Sequence, residues 1–265
     1  MSVAVHPEPE TTGAAARDDA VPMRFSIVIA NYNYDRFLGR AIESAVALDW
    51  PDVEVIVVDD GSTDNSREVI ESFAGSITPI FQPNGGQRDA NNNGFAHSTG
   101  EVIVFLDADD VLDPRFAKAV AAAWGPTVTK VQVQMQLIDA EDRPFGDLIP
   151  NFAFRPEPAQ ITARARSATE YPTPPGSANA YSRRFLERFF PIGEEHDVVT
   201  DSTCLALAPL MGDVVTIVEP LVHYRQHGSN DSNLGIRPGN FTREVARAMK
   251  RQKSAEDICT ALGVE

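Results

Sequence analysis

The sequence predicts an α/β fold with a mixed, mostly parallel central sheet of Rossmann-like type, flanked by helices and followed by a less regular C-terminal half. Two observations carry this prediction. Between residues 25 and 107, apolar β-branched segments alternate with segments of helical periodicity, which favours parallel strands joined by right-handed crossovers. Polar clusters follow three of the predicted strands, and ligands bind beyond the carboxyl ends of the strands in such sheets.

The first half of the chain supplies the regular part of the prediction. Residues 25–30 form an apolar β-branched run that predicts a buried strand, and apolar residues recur at helical spacing between 37 and 48. The alternation continues with a strand at 53–58, a helix at 66–73, a strand at 76–81, a helix after the Asn84-Gly85-Gly86 break, and a strand that ends at Asp107.

The second half is less regular. We predict helices at 114–124, 182–190 and 197–210, a strand with one polar face at 130–138 and a strand at 214–218. Residues 150–178 are rich in Pro, Ala, Arg and Thr, and we expect a long loop or flap there. The chain is therefore divided into a disordered N-terminal tail (1–22), one domain (23–236, with halves 23–113 and 114–236) and a C-terminal amphipathic helix (237–265).

Composition narrows the class of protein. The 265 residues are 43% hydrophobic and 23% charged, which is typical of a globular protein, and the net charge of −15 disfavours a nucleic-acid partner. Two cysteines, Cys204 and Cys259, are too few for a disulfide framework and favour a reducing compartment. The sequence contains no stretch of 18 or more apolar residues, so we predict no membrane span. We expect a cytoplasmic protein, with the inner face of the membrane as the alternative location.

The segment from Val102 to Asp110 is the most informative motif. Its apolar run ends in three carboxylates, and because side chains alternate along a strand, Asp107 and Asp109 project to the same side. Mg²⁺ and Mn²⁺ prefer oxygen ligands and often keep substrate phosphates as further ligands. The motif therefore predicts a metal–diphosphate site, and a solvated acidic turn is the structural alternative.

Several motifs together resemble the inverting GT-A glycosyltransferases of family 2. The resemblance runs from about residue 23 to 232 and rests on five elements in a fixed order: 26–33 (SIVIANYN), 57–64 (VVDDGSTD), 84–86 (NGG), 105–110 (FLDADD) and 219–230 (EPLVHYRQHGSN). It implies a GT-A fold, a nucleotide diphosphate sugar donor, a divalent cation (Mn²⁺ or Mg²⁺) and an acceptor hydroxyl of unknown identity. It also implies inversion at the anomeric carbon and a role in the synthesis of cell-surface glycans or glycoconjugates.

The resemblance also assigns a nucleotide-binding set. The backbone of Ala30 and the ring of Tyr32 lie near the base, Asp60 accepts a hydrogen bond from the base, and Asp107 approaches the ribose. Arg88 replaces the charge of an Arg that many relatives carry at the position of Asn91. The structural alternatives are a half-buried rim aromatic for Tyr32, a turn carboxylate for Asp60 and a solvated helix residue for Arg88.

The metal ligand and the catalytic base follow from the same resemblance. Asp109 is implied as a direct metal ligand, and His227 as a group that completes the metal shell or contacts phosphate. Asp201 aligns best with the family's base, Asp197 is the second candidate and Glu195 a weaker one. The alternative for these acids is the first turn of a helix, where carboxylates favour the helix dipole.

Other interpretations stay open at this point. A sugar-phosphate nucleotidyltransferase shares the fold class, but its usual Gly-rich loop does not follow the first strand. A catalytically silent nucleotide-sugar-binding protein is the second alternative. Basic residues in the terminal helix, among them Arg243, Arg247 and Lys250, leave two readings: a packed helix with a charged outer face, or peripheral contact with anionic lipid. A homodimer is a further partner left open.

Overall fold

The computed structural model describes residues 22–152, 155–167, 171–194, 200–228, 230 and 241–263; the side chains of residues 241, 243, 244 and 247 lie outside the description. The predicted N-terminal tail falls on residues that are, but for residue 22, outside it. The strands are β1 (Phe25–Asn31), β2 (Val53–Asp59), β3 (Thr78–Phe81), β4 (Val102–Asp107), β5 (Val111–Leu112), β6 (Val128–Ile138), β7 (Asn179–Ser182) and β8 (Asp213–Arg225). The helices are α1 (Asp35–Val46), α2 (Ser66–Ser72), α3 (Gln87–His97), α4 (Phe116–Ala122), α5 (Pro158–Arg166), α6 (Arg183–Leu186), α7 (Thr200–Met211) and α8 (Phe241–Leu262), with a 3₁₀ turn at Gly176–Ala178.

The described strands form one eight-stranded sheet in the order β3-β2-β1-β4-β7-β6-β8-β5. The pairings within β3-β2-β1-β4 are all parallel, and β6 is parallel to β8. β7 is antiparallel to both β4 and β6, and β5 is antiparallel to β8. The predicted mixed, mostly parallel sheet with flanking helices is confirmed.

Two apolar layers cover the sheet, and strand alternation explains how one strand feeds both. Phe25, Ile27 and Ile29 of β1 pack into the layer that contains α1 and α4. Val28 points to the opposite layer, where α3, α6, α7 and α8 pack. All four side chains are fully buried, which is why the predicted strand reads as a continuous apolar run.

The predicted long loop at 150–178 is wrong in part, because α5 lies within it. Glu157 and Gln160 form a reciprocal capping box at its start, and Pro158 occupies the first helical turn, where a missing N–H costs nothing. Ile161 is the buried apolar residue of this short helix. The predicted helix at 182–190 is also too long, since α6 ends at Leu186 and residues 179–182 belong to β7.

The terminal helix packs against the domain through its second half. Ile258 is buried, and Ala255, Cys259 and Leu262 pack against the same layer as α7. In the first half, Val245 is 39% and Met249 is 69% exposed. Among the described residues, no helix combines the length and apolar composition that crossing a bilayer requires.

Candidate active site

The carboxyl ends of β1, β2 and β4 meet at one edge of the sheet. Ala30 on β1 is in register with Val58 on β2 and with Asp107 on β4. The polar segments that follow these strands therefore begin at the same level, beside one another. This is the edge at which parallel α/β sheets bind their ligands.

Asp107 ends β4 in a half-buried position. The Gln87 side-chain amide, at the start of α3, donates to Asp107 Oδ1 over 3.1 Å. The backbone N–H of Asp107 donates to Ser177 Oγ in the 3₁₀ turn over 3.1 Å. Burial, and then the neighbouring charges of Asp109 and Asp201, raise the pKa of Asp107 to about 8. Asp109 and Asp201 are therefore close enough for their negative charges to disfavour ionisation of Asp107.

Asp109 is buried in the turn after β4, and two side chains hold its carboxylate. His227 Nε2 lies 3.0 Å from Asp109 Oδ2, and the Asn230 side-chain amide donates to the same oxygen over 3.2 Å. Phe37 of α1 supports the imidazole, with the two ring centres 4.6 Å apart. Burial raises the pKa of Asp109, although the contact with His227 acts in the opposite direction. The two residues predicted to meet at a metal are therefore brought together.

Asp110 and Arg225 hold the backbone around Asp109 and His227 in place. The backbone N–H of Arg225 donates to Asp110 Oδ1 over 3.0 Å, and Arg225 Nε donates to the carbonyl oxygen of Asp109 over 2.8 Å. Arg225 Nη1 also lies 2.5 Å from Asp142 Oδ1. Burial, together with the charges of Asp109 and Asp107, raises the pKa of Asp110 well above its usual value. Arg225 thus ties the end of β8 to the acidic turn.

Asp201 lies in the first turn of α7 and faces Asp107 across a small space. A Cβ placed on Gly176 would lie 3.5 Å from Asp201 Oδ2 and 3.8 Å from Asp107 Oδ2, so both carboxylates border the same point. The Asn91 side-chain amide donates to Thr200 Oγ1 over 3.0 Å, which fastens the start of α7 to α3. The second candidate base, Asp197, lies outside the described residues.

Of the remaining residues predicted to bind the nucleotide, Tyr32 is exposed, whereas Asp60 and Arg88 are buried. Tyr32 follows β1 and is 46% exposed, so its ring is free to stack on a ligand. Asp60 is buried and accepts hydrogen bonds from the Gln82 side chain and from the backbone N–H groups of Gly85 and Gly86. It thereby holds the turn before α3. Arg88 is buried on α3 and paired with Asp89 at 3.0 Å.

Sequence reasoning missed several residues that touch the site. Gln87 and Ser177 contact Asp107, and Asn230 contacts Asp109. Gln87 directly follows the 84–86 motif and Asn230 ends the 219–230 motif, whereas Ser177 lies outside every quoted motif. The pattern alone shows neither which side chain turns inward nor which atom it reaches. A cavity of about 420 Å³ opens beside His227, lined also by Asp139, Phe145, Gln226, Gly228 and Asn230.

Comparison with solved structures shows the fold. The fold is similar to that of TarS residues 1–349 from Staphylococcus aureus in complex with UDP-GlcNAc, with a TM-score of 0.63 and 19% identity over 89% of this chain and 71% of that one. It is also similar to the mannosyltransferase PcManGT from Pyrobaculum calidifontis in complex with GDP-Man and Mn²⁺, with a TM-score of 0.53 and 19% identity over 92% and 77% of the two chains. The architecture is that of the GT-A glycosyltransferases.

Sequence comparison gives the family. The model of glycosyl transferase family 2 matches residues 26–190, and the chain belongs to that family. It is 38% identical over 216 residues to an uncharacterized glycosyltransferase of Nostoc sp., which covers 79% of this chain and 66% of the relative. It is 27% identical over 216 residues to the putative glycosyltransferase EpsH of Bacillus subtilis, over 77% and 61% of the two chains. The chain thus spans about two thirds or less of the length of these relatives.

Proposed function

We propose that the protein is a metal-dependent inverting glycosyltransferase that moves a sugar from a nucleotide diphosphate sugar to an acceptor hydroxyl, in cell-surface glycan or glycoconjugate synthesis. The observation that carries the proposal is the pair Asp107 and Asp201, which border one point beside Gly176. A carboxylate from the nucleotide side of the sheet and one from α7 face a common space, and the family membership gives that space its chemistry.

The donor would bind along the edge formed by β1, β2 and β4. The Ala30 backbone and the exposed ring of Tyr32 would contact the base, and Asp107 the ribose. Asp60 already accepts three hydrogen bonds, but a carboxylate offers about four lone-pair positions, so one further donor from a base is compatible with its contacts. Arg88, at the start of α3, would supply positive charge near the diphosphate.

The residues present fit a divalent cation of the Mn²⁺ or Mg²⁺ type. Asp109 Oδ2 and His227 Nε2 lie 3.0 Å apart and would hold it: the carboxylate is the oxygen ligand that these ions prefer, and Nε2 would add a nitrogen ligand in the tautomer that carries the proton on Nδ1. Within the described ranges, no three His, Cys, Asp or Glu side chains converge as a complete metal shell. An ion held by Asp109 and His227 would take its other ligands from phosphate and water. The cation would supply charge neutralisation for the leaving nucleoside diphosphate.

The protein's own groups would then perform a single displacement. Asp201 accepts the proton of the acceptor hydroxyl, whose oxygen attacks the anomeric carbon from the face opposite the diphosphate. The new carbon–oxygen bond forms as the bond to the diphosphate oxygen breaks, so the configuration inverts and the protein forms no covalent intermediate. Asp197 would take the base role if Asp201 serves only to position α7.

The first test is nucleotide binding with and without metal. Isothermal titration with UDP, GDP and dTDP is expected to show binding of at least one nucleotide in Mn²⁺, and EDTA is expected to weaken it. A protein that binds none of the three in the presence of Mn²⁺ contradicts the proposal. Pyrophosphate release from a nucleoside triphosphate and a sugar phosphate would instead indicate a nucleotidyltransferase, and binding without hydrolysis or transfer a silent sugar-nucleotide binder.

The first half of α8 exposes apolar and basic side chains that could contact a membrane surface. Val245 and Met249 are exposed there, and Lys250 lies beside them with its side chain exposed. We propose that this face makes peripheral contact with the inner face of the membrane. Co-sedimentation with anionic liposomes is expected to fall for Met249→Ser. Light scattering on the protein without liposomes tests the possible homodimer.

A further inference from the structure

A fully buried lysine lies on β6, apart from the residues that the resemblance assigns. Lys130 has 0% exposure. Its Nζ donates to Gln132 Oε1 and to Thr173 Oγ1, each over 2.9 Å. The same nitrogen lies 5.1 Å from the centre of the Tyr171 ring. A lysine is among the most costly side chains to bury, so its presence here requires an explanation beyond packing.

Gln132 extends these contacts to two more parts of the chain. Its side-chain amide donates to the carbonyl oxygen of Pro172 and to Thr216 Oγ1 on β8, each over 3.0 Å. We call Lys130, Gln132, Thr173 and Thr216 the Lys130 cluster. It links β6 and β8 to the segment 171–173 through side-chain atoms, with two bonds on consecutive residues of that segment.

The Lys130 cluster does not depend on one protonation state. Burial lowers the pKa of Lys130 well below its usual value, while Cys204 and Asp201 act in the opposite direction. A neutral amine keeps two N–H groups, which match the two oxygen acceptors. The bonds to Gln132 and Thr173 therefore persist whether the amine is charged or neutral.

The segment that the cluster holds leads directly to the candidate active site. Residues 171–175 run into the 3₁₀ turn Gly176–Ala178. Ser177 of that turn accepts from the backbone N–H of Asp107, and Gly176 borders both Asp107 and Asp201. The cluster holds residues 172 and 173 from β6, and the Asn179 side-chain amide on β7 donates to the carbonyl oxygens of Pro174 and Pro175 over 3.4 and 2.8 Å. The approach to the turn is therefore held from β6 at its start and from β7 at its end.

We infer that Lys130 is a positioning residue: through Thr173 and Gln132 it fixes the segment 171–173 and so, together with Asn179, holds the Gly176–Ala178 turn against Asp107 and Asp201. The structural part of this inference stands on the contacts alone. Its consequence for sugar transfer rests on the proposed function.

The structural part is tested by amide hydrogen exchange on the full chain without ligand. In Lys130→Met, exchange over 171–178 is expected to rise about tenfold or more, while 25–31 and 53–59 stay unchanged. If Lys130→Met fails to fold, Thr173→Val takes its place. It removes one acceptor of Lys130 with little change of shape and is expected to raise exchange in the same peptide. Lys118→Met changes an exposed lysine on α4 and is the matched control. Unchanged exchange over 171–178, or an equal rise in all three peptides, overturns the inference.

The functional part is tested by separating binding from turnover. With UDP-GlcNAc and GDP-mannose as probes, hydrolysis or transfer by Lys130→Met is expected to fall about tenfold to a hundredfold. The Kd of the corresponding nucleoside diphosphate is expected to match the wild type, because β1, β2 and β4 are untouched. An equal loss of turnover and of affinity for the nucleoside diphosphate overturns the positioning role. A wild-type protein that binds neither probe contradicts the proposed function, while the exchange result still decides the structural part.

Discussion

The two halves of the domain reach the same sheet in different ways. In the first, β1, β2 and β4 are parallel, buried and separated by helices, so each element follows from the period of its own residues. In the second, the four-residue β7 lies antiparallel between β4 and β6, strands from distant parts of the chain. Long periodic segments fold as their pattern predicts, whereas short segments take the conformation that their neighbours impose.

The same contrast applies to the chemistry. The first half places Asp107 and Asp109 directly at the end of a buried strand. The second half supplies Asp201 and His227, and first-half residues support both: Asn91 fastens the start of α7, and Phe37 packs on the imidazole. The proposed division of labour is therefore donor binding in the first half and proton removal from the acceptor in the second.

The sharpest way to break this division is Asp201→Asn. Transfer or hydrolysis of the donor is expected to fall about a thousandfold, because the amide cannot accept the proton. Nucleotide affinity is expected to stay within about twofold of the wild type. Glu194→Gln, which changes an exposed acid that precedes α7 in the sequence, is the matched control. Retained turnover in Asp201→Asn would move the base to Asp197.

Asp109→Asn tests the first half. Affinity for the nucleoside diphosphate in Mn²⁺ is expected to fall about 10- to 100-fold, because the proposed carboxylate ligand would become a neutral amide. Calorimetry with and without EDTA measures the effect. Asp113→Asn, whose carboxylate is paired with Arg115, is the control. Equal affinity with and without Mn²⁺ in the wild type would remove Asp109 from the metal role.

Gly94→Ala tests how closely α3 packs on the sheet. A Cβ at Gly94 would overlap Cγ1 of Val28, so the substitution is expected to lower the free energy of unfolding by about 2–3 kcal/mol. In α1, a Cβ at Gly39 would lie 3.8 Å from Val69 Cγ1, an ordinary contact, and Gly39→Ala is expected to stabilise by up to about 1 kcal/mol. Denaturant unfolding measures both, and equal effects would show that α3 can shift outward.

Glu54 gives the smallest of these effects and tests the opposite end of the first-half strands. Burial raises the pKa of Glu54, but hydrogen bonds from Ser26, Thr99 and Arg24 outweigh it and lower the pKa from 4.5 to about 2. Stability from Glu54 is therefore present above pH 4.5 and is lost as the pH falls towards 2. The difference in unfolding free energy between wild type and Glu54→Gln, about 1–2 kcal/mol at pH 6, is expected to shrink over that range. A constant difference would contradict this account.

The sequence predicted much of this molecule, and the errors have a physical pattern. The strands before Asp59 and Asp107 were placed to within one residue because buried parallel strands are continuous apolar runs. α5 was missed because its capping box lies in a segment whose Pro and Arg content suggests a loop. Gln87 and Ser177 were missed because the contact of each with Asp107 spans 20 or 70 residues, and no local period encodes it.

The position of β7 has a consequence for any attempt to divide the protein. Among the described strands, it is the one that joins the β3-β2-β1-β4 group to the β6-β8-β5 group in the sheet. A cut near residue 113 would leave β4 with a bare edge in one fragment and β7 with the complementary edge in the other, and it would also separate β5 from its partner β8. Two such fragments, expressed together, would reassociate by completing each other's hydrogen-bond ladder, and each alone would tend to aggregate.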